Sequence, residues 1–133
     1  MTSIEYHPSD AQKVWAGGSS PTSDPCAAGG PQIEEEFTYP YTNGVFFSTD
    51  GGNNWATNGE LNQDVVALAA YTSGATSYAF ASTPGAANKL YYTTDVNSET
   101  ATWNAVTSYS GGSINDIKVD QNNKIYLAAS DGI

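Results

Sequence analysis

The sequence predicts an all-β fold built from repeated four-stranded antiparallel units. Short apolar or aromatic runs alternate with clusters of Gly, Asn, Asp, Ser and Pro, the pattern of strands punctuated by turns. No stretch shows the 3.6-residue period of an amphipathic helix over a useful length. A loop followed by a fresh apolar run recurs at Asn43-Gly44-Val45, Asn88-Lys89-Leu90 and Asp131-Gly132-Ile133, 45 and then 43 positions apart.

That spacing falls in the range of β-propeller blades. In the first unit, strand A is Ser3-Ile4-Glu5-Tyr6 and the tight turn is His7-Pro8-Ser9-Asp10. Strand B is Lys13-Val14-Trp15-Ala16-Gly17, strand C is Val45-Phe46-Phe47 and strand D is Trp55-Ala56-Thr57. The second unit runs through residues 64–70, 77–81, 90–92 and 102–106. A third begins at 114–119, turns through Asp120-Gln121-Asn122-Asn123 and continues in Lys124-Ile125-Tyr126-Leu127-Ala128. The expected boundaries are about 2–57 with a long insertion at 18–42, about 64–107, and a half unit at about 113–133. Such units bury their faces only against neighbours, and about three or more are needed for a stable stack. An incomplete ring follows, with the remaining blades expected in a longer form of this chain or, as the second alternative, in other chains.

Composition narrows the function classes. Among 133 residues there are 14 Asp and Glu against 4 Lys, with no Arg, for a formal net charge of −10. Nucleic acid is excluded as a partner because phosphate binding needs a Lys/Arg footprint, and an anionic membrane surface is excluded on the same ground. No apolar stretch approaches the roughly 20 residues that span a bilayer, so no membrane insertion is expected. Cys26 is the single cysteine, which rules out a disulfide within these residues. The Asn-, Thr-, Ser-, Gly- and Tyr-rich polar surface suits an extracytoplasmic protein. Met1 to Glu5 has neither the basic start nor the apolar core of a signal peptide, so a leader is expected outside these residues.

The turn Ser48-Thr49-Asp50-Gly51-Gly52-Asn53-Asn54-Trp55 is the most distinctive local feature. Asp50 can accept from backbone N–H groups of its own turn, Gly51 and Gly52 permit positive φ, and Ser48 adds a hydroxyl. Trp55 can lay its indole over the turn; truncating it would cost roughly 3–5 kcal/mol if buried. A weaker echo consists of Thr93, Asp95 and Trp103. Metal binding has less behind it. Glu34, Glu35 and Glu36 offer oxygen ligands for Ca²⁺, yet such acidic loops also serve as solvated surface, and no cofactor is expected. His7 lacks a second His or a Cys partner and reads as a turn residue. No G-x-S-x-G elbow or Cys/His arrangement supports nucleophilic catalysis.

Residues 48–55 resemble the Asp-box repeat, Ser/Thr-x-Asp-x-Gly-x-x-Trp, with Ser48, Asp50, Gly52 and Trp55 at all four positions. The second copy keeps Thr93 and Asp95, lacks the glycine, and reaches Trp103 after three extra residues. Apart from residues 18–42, nearly the whole chain is similar to Asp-box (BNR-type) β-propellers, which include sialidases, sortilin-type receptor domains, xyloglucan-cleaving hydrolases and photosystem II assembly factors. The resemblance implies that the Asp box is a fold element facing away from the ligand side. It also implies that the loops at 18–42, 58–63, 82–87 and 108–113 form the ligand face. Candidate ligand-face residues are therefore Glu34, Glu35, Glu36, Tyr39, Tyr41, Asn58, Glu60, Asn62 and Tyr109.

Two functions compete. A recognition or scaffolding module of a cell-surface or secreted protein would bind glycan or protein through that loop face, since aromatic and amide side chains suit sugar rings and peptides. A carbohydrate-active propeller enzyme would need two opposed carboxylates, with its catalytic groups mostly in blades beyond these residues. Sialidase chemistry as the resemblance implies it needs an arginine cluster, which this chain lacks. No catalytic residue is assigned.

Overall fold

The computed structural model describes residues 3–7, 10–18 and 43–132. The described residues contain ten strands and no helix. β1 (Ser3–His7), β2 (Asp10–Gly18), β3 (Gly44–Ser48) and β4 (Ala56–Thr57) form one antiparallel sheet in that order. β5 (Ala67–Ser73), β6 (Thr76–Ser82), β7 (Leu90–Thr93) and β8 (Asn104–Ala105) form a second, also in sequence order. β9 (Ile114–Val119) and β10 (Ile125–Ala129) pair as an antiparallel ribbon. Cys26, Glu34, Glu35, Glu36, Tyr39 and Tyr41, most of the expected insertion, and Pro8 and Ser9 lie outside the described residues.

The sheets lie face against face, and the period-two pleat explains how. In the second sheet, Leu68, Ala70, Ala79 and Ala81 turn to one side and join Trp15 and Val45 of the first sheet in one core. Ala67, Ala69, Phe80 and Leu90 turn to the other and join Ile114 and Ile117 of β9. The alanines leave room for Trp15, with Phe47 packed against the same core. Fully burying Ile114 or Ile117 contributes about 1.5–3 kcal/mol each. The first strands of successive sheets adjoin, β1 with β5 and β5 with β9. Leu68 N–H donates to Ser3 Oγ across the first of these contacts at 3.1 Å.

The expected strand at 64–70 is displaced: β5 starts at Ala67 and runs to Ser73. Val65 N–H instead reaches Gly18 O of the first sheet at 3.0 Å. At the far end, Gly74 at φ +60 closes a tight hairpin in which Tyr71 pairs with Tyr78. The fourth strands are shorter than expected, and Trp55 and Trp103 fall outside them. Each indole leaves the ladder to donate to a carbonyl, Trp55 to Gly52 O and Trp103 to Asn58 O. Strand ends also carry a cap the sequence reading missed. Ser82 Oγ accepts from Ala67 N–H at 3.1 Å and Ser130 Oγ accepts from Ser113 N–H at 3.1 Å. Ser82 ends the second strand of its unit and Ser130 directly follows the second strand of the next, which is the signal that was available.

Candidate functional site

The turn after β3 is a closed hydrogen-bond network. Ser48 Oγ, buried, donates to Asp50 Oδ1 at 2.8 Å and accepts from Gly52 N–H at 2.9 Å. Asp50 accepts from Asn54 twice, from its N–H at 2.9 Å and its Nδ2 at 2.6 Å. Asn54's side-chain and backbone donors, then the Ser48 hydroxyl, hold the Asp50 carboxyl down to about 2 from its ordinary 3.8. Gly52 sits at φ +94, where a side chain would be strained. Every acceptor oxygen of Asp50 is thus turned onto its own turn, and the chemistry available there is structural. Trp55 is 39% exposed, so the burial on which the larger truncation cost depends is not met. Its indole spans the turn, donating to Gly52 O at 2.9 Å.

The second turn keeps one bond of the first, Asp95 N–H to Thr93 Oγ1 at 3.1 Å, the counterpart of Asp50 N–H to Ser48 Oγ at 3.3 Å. Its additional residues do something the sequence reading missed. Val96 inserts into the core between the first two sheets. Its carbonyl accepts from Trp15 Nε1 and from Asn58 Nδ2. Asn58, expected on the exposed loop face, is instead fully buried, at 0% exposure. Its N–H donates to Val45 O at 2.8 Å and its carbonyl accepts from Trp103 Nε1 at 2.7 Å. The reason is that this longer turn drapes against the end of β4 and covers the side chain. Asn58 is a strut between two sheets.

The loop that follows is pinned from below and open above. Asn58, Leu61 and Val65 are buried, while Glu60 and Asn62 are exposed. Gly59 takes φ +66 in close apposition to Ala101 O, and Asn62 takes φ +47. Two hollows meet over this loop. One, of about 360 Å³, is lined by Asn43, Thr57, Glu60, Leu61 and Asn62 among others. The second, of about 240 Å³, shares Asn43 and Asn62 and adds Gln63, Asp64, Gly85 and Ala86. Glu60 and Asn62 both line the first hollow; Asp64, a further carboxylate expected on the same loop face, lines the second, and Asn43, which marks the start of a repeat, lines both.

Tyr109 lines a different hollow, of about 390 Å³, with Ile125, Leu127, Ala129 and Asp131. Its hydroxyl donates to Gly112 O at 2.9 Å. Asp131 Oδ2 accepts from Gly112 N–H at 2.9 Å, so this loop is braced by its own contacts. Among the described residues no group of three or more His, Cys, Asp or Glu side chains could hold a metal ion. No helix among them is long and apolar enough to cross a membrane.

No family model, curated protein or solved structure matches this chain.

Proposed function

We propose that the chain is part of an Asp-box β-propeller and serves as a non-catalytic recognition or scaffolding module of an extracytoplasmic protein. The observation that carries the recognition half is the pinned loop of residues 58–65, which presents Glu60 and Asn62 over a polar hollow while its buried residues hold the backbone still. Preorganised polar groups of this kind lower the ordering cost of binding. Several features support the propeller half. The second sheet is buried on both faces, first strands adjoin in sequence, and the Ser48–Asp50–Gly52–Trp55 network is self-contained. The outer faces of the stack expose Ile4, Tyr6 and Tyr126. These are surfaces for further blades, in the same or another chain.

Glycan and peptide arrays probed with the protein test the recognition reading. Hits that weaken in Glu60→Ala and Asn62→Ala are expected. Silence on both arrays counts against it. Sugar release from a polysaccharide, abolished by Glu60→Gln, would replace it with the glycoside hydrolase reading.

A further inference from the structure

Side chains of β1 cap the open edge of β5. Leu68 N–H donates to Ser3 Oγ at 3.1 Å, and Ala70 N–H donates to the Glu5 carboxylate. Ser3 and Glu5 share one face of β1, and Leu68 and Ala70 are alternate residues of β5. One sheet thus receives the first strand of the next through a hydroxyl and a carboxylate on alternate residues. The Leu68 and Ala70 side chains finish the junction, buried with Trp15 and Val45.

Both halves of this junction recur at the two ends of the stack, where no further sheet meets them among the described residues. Gly17 faces Val45 as Ser82 faces Leu90. Ser82 Oγ and Ser130 Oγ make the same cap, so Gly17, Ser82 and Ser130 correspond. The place of Ser3, opposite Gly17, is then held by Ser113, which bonds with Ser130. The place of Glu5 is held by Asp116, opposite Ala128, with Asn115 as the extra residue of a bulge. In β5 the same places hold Ala67 and Ala69, which pack into the second core instead. The receiving pair of the third unit stands on its open face with Tyr126, which is 42% exposed.

At the other end, Ile4 and Tyr6 hold the places of Leu68 and Ala70. They pair with Ala16 and Val14 as Leu68 and Ala70 pair with Ala81 and Ala79. Leu68 and Ala70 are buried, whereas Ile4 is 49% and Tyr6 59% exposed. Apolar side chains so exposed beside an open strand edge form a surface for pairing. Because this chain carries both halves, a second copy supplies what each end lacks.

We infer that the chain associates head to tail with a second copy of itself, β1 of one copy docking on the β9–β10 face of the other. Ile4 N–H then donates to Ser113 Oγ and Tyr6 N–H to Asp116, and both side chains bury against Ala128 and Tyr126. Asp116 Oδ1 already accepts from Ile117 N–H at 2.9 Å and lies 3.3 Å from Lys118 Nζ. A carboxylate accepts up to about four donors, so a further one fits. The contact is heterologous, each copy offering a different half at either end. This rests on the propeller half of the reading above and names a second copy as the source of a neighbouring sheet. Each copy carries a formal charge of −10, so repulsion opposes the contact and added salt strengthens it.

Sedimentation of the whole protein over a concentration series reads the association. Mass rising with concentration, and further with salt, is expected. Tyr6→Asp blocks one half and Tyr126→Asp the other. Each alone weakens self-association about tenfold or more, while an equimolar mixture of the two forms one-to-one dimers. Thr94→Asp, the same charge on an exposed turn, associates as the parent does. Thermal melts check that each variant is folded. A monomer at every concentration and salt overturns the second copy as the occupant. Association that either end variant leaves intact, or a mixture that does not dimerise, overturns the head-to-tail arrangement. The stacked-sheet premise fails separately, if Leu68→Ala leaves the melting temperature unchanged, and the arrays decide the recognition reading on their own.

Discussion

The indole N–H of Trp15 donates to the carbonyl oxygen of Val96, joining positions 81 apart in one buried hydrogen bond. The same oxygen receives the side-chain amide of Asn58 at 2.9 Å. A single carbonyl in a turn of the second sheet thus accepts from two side chains of the first sheet and the loop after it. The longer second turn works as a plug between sheets.

Val96→Ala should therefore destabilise the protein by about 2 kcal/mol, through lost apolar burial and the cavity left behind. Thr94→Ala, two residues earlier and exposed, should stay within about 0.5 kcal/mol. Urea unfolding of both variants measures the difference. Equal effects would mean that Val96 is not a core residue.

Asn58 gives a sharper contrast. Asn58→Ala removes the donor to Val96 O and costs about 1–3 kcal/mol. Asn58→Asp sets an acceptor carboxylate against that carbonyl in a buried place and should cost more than the alanine. Comparing the two midpoints in denaturant checks the order, and the reverse order would remove the strut role.

Two glycines separate steric clash from backbone strain. Gly59 and Gly74 both have positive φ, +66 and +60. A Cβ on Gly59 would meet Ala101 O at 2.0 Å, whereas Gly74 has nothing within 4 Å. Gly74→Ala should cost about 1–2 kcal/mol, the strain alone. Gly59→Ala should cost more, because the backbone of the neighbouring turn must move. Thermal melts of the two variants show whether the second exceeds the first.

Asp50 predicts an acid limb in stability. Its folded carboxyl titrates near 2 against an ordinary 3.8, because Asn54 and Ser48 donate to the charged form. A depressed folded value stabilises the fold in full above the unfolded value and is lost as pH falls through the folded one. The contribution should fade between about pH 4 and pH 2. Carbon-detected NMR titration reads the carboxyl directly, and melting temperature against pH should lose part of its acid slope in Asp50→Asn. An ordinary titration near 3.8 would break the link to this network.

The two tryptophans with matching places in the motif should differ. Trp103 is half-buried, packs on the first core and bridges to Asn58 O at 2.7 Å. Trp55 is exposed and bonds within its own turn. Trp103→Phe should cost about 1 kcal/mol more than Trp55→Phe, because each loses one indole hydrogen bond but only Trp103's is part-buried and leaves a carbonyl of the buried Asn58 without that donor. Equal costs in chemical unfolding would contradict the bridge.

How much was legible follows from the range of each interaction. The Asp50 turn could be read from eight residues because its bonds close within four positions. The Asp120 turn is the same case, with Asn122 and Lys124 N–H groups donating to Asp120 Oδ1. Glu60 and Asn62 were picked out as loop residues, and they do line a common hollow. Asn58 was placed with them and is buried, because nothing within its own segment announces that Val96 and Trp103 come from 38 and 45 positions away.

Strand order, turn chemistry and the all-β class were determined by the sequence alone, since alternation and local hydrogen bonding act over a few residues. Tertiary structure decided which face of each sheet is covered, which of two similar tryptophans is a bridge, and where the loop at 58–65 is held. Those outcomes depend on how closely one sheet approaches the next, and the alanines at Ala70, Ala79 and Ala81 set that approach only once Trp15 and Val96 arrive to fill it.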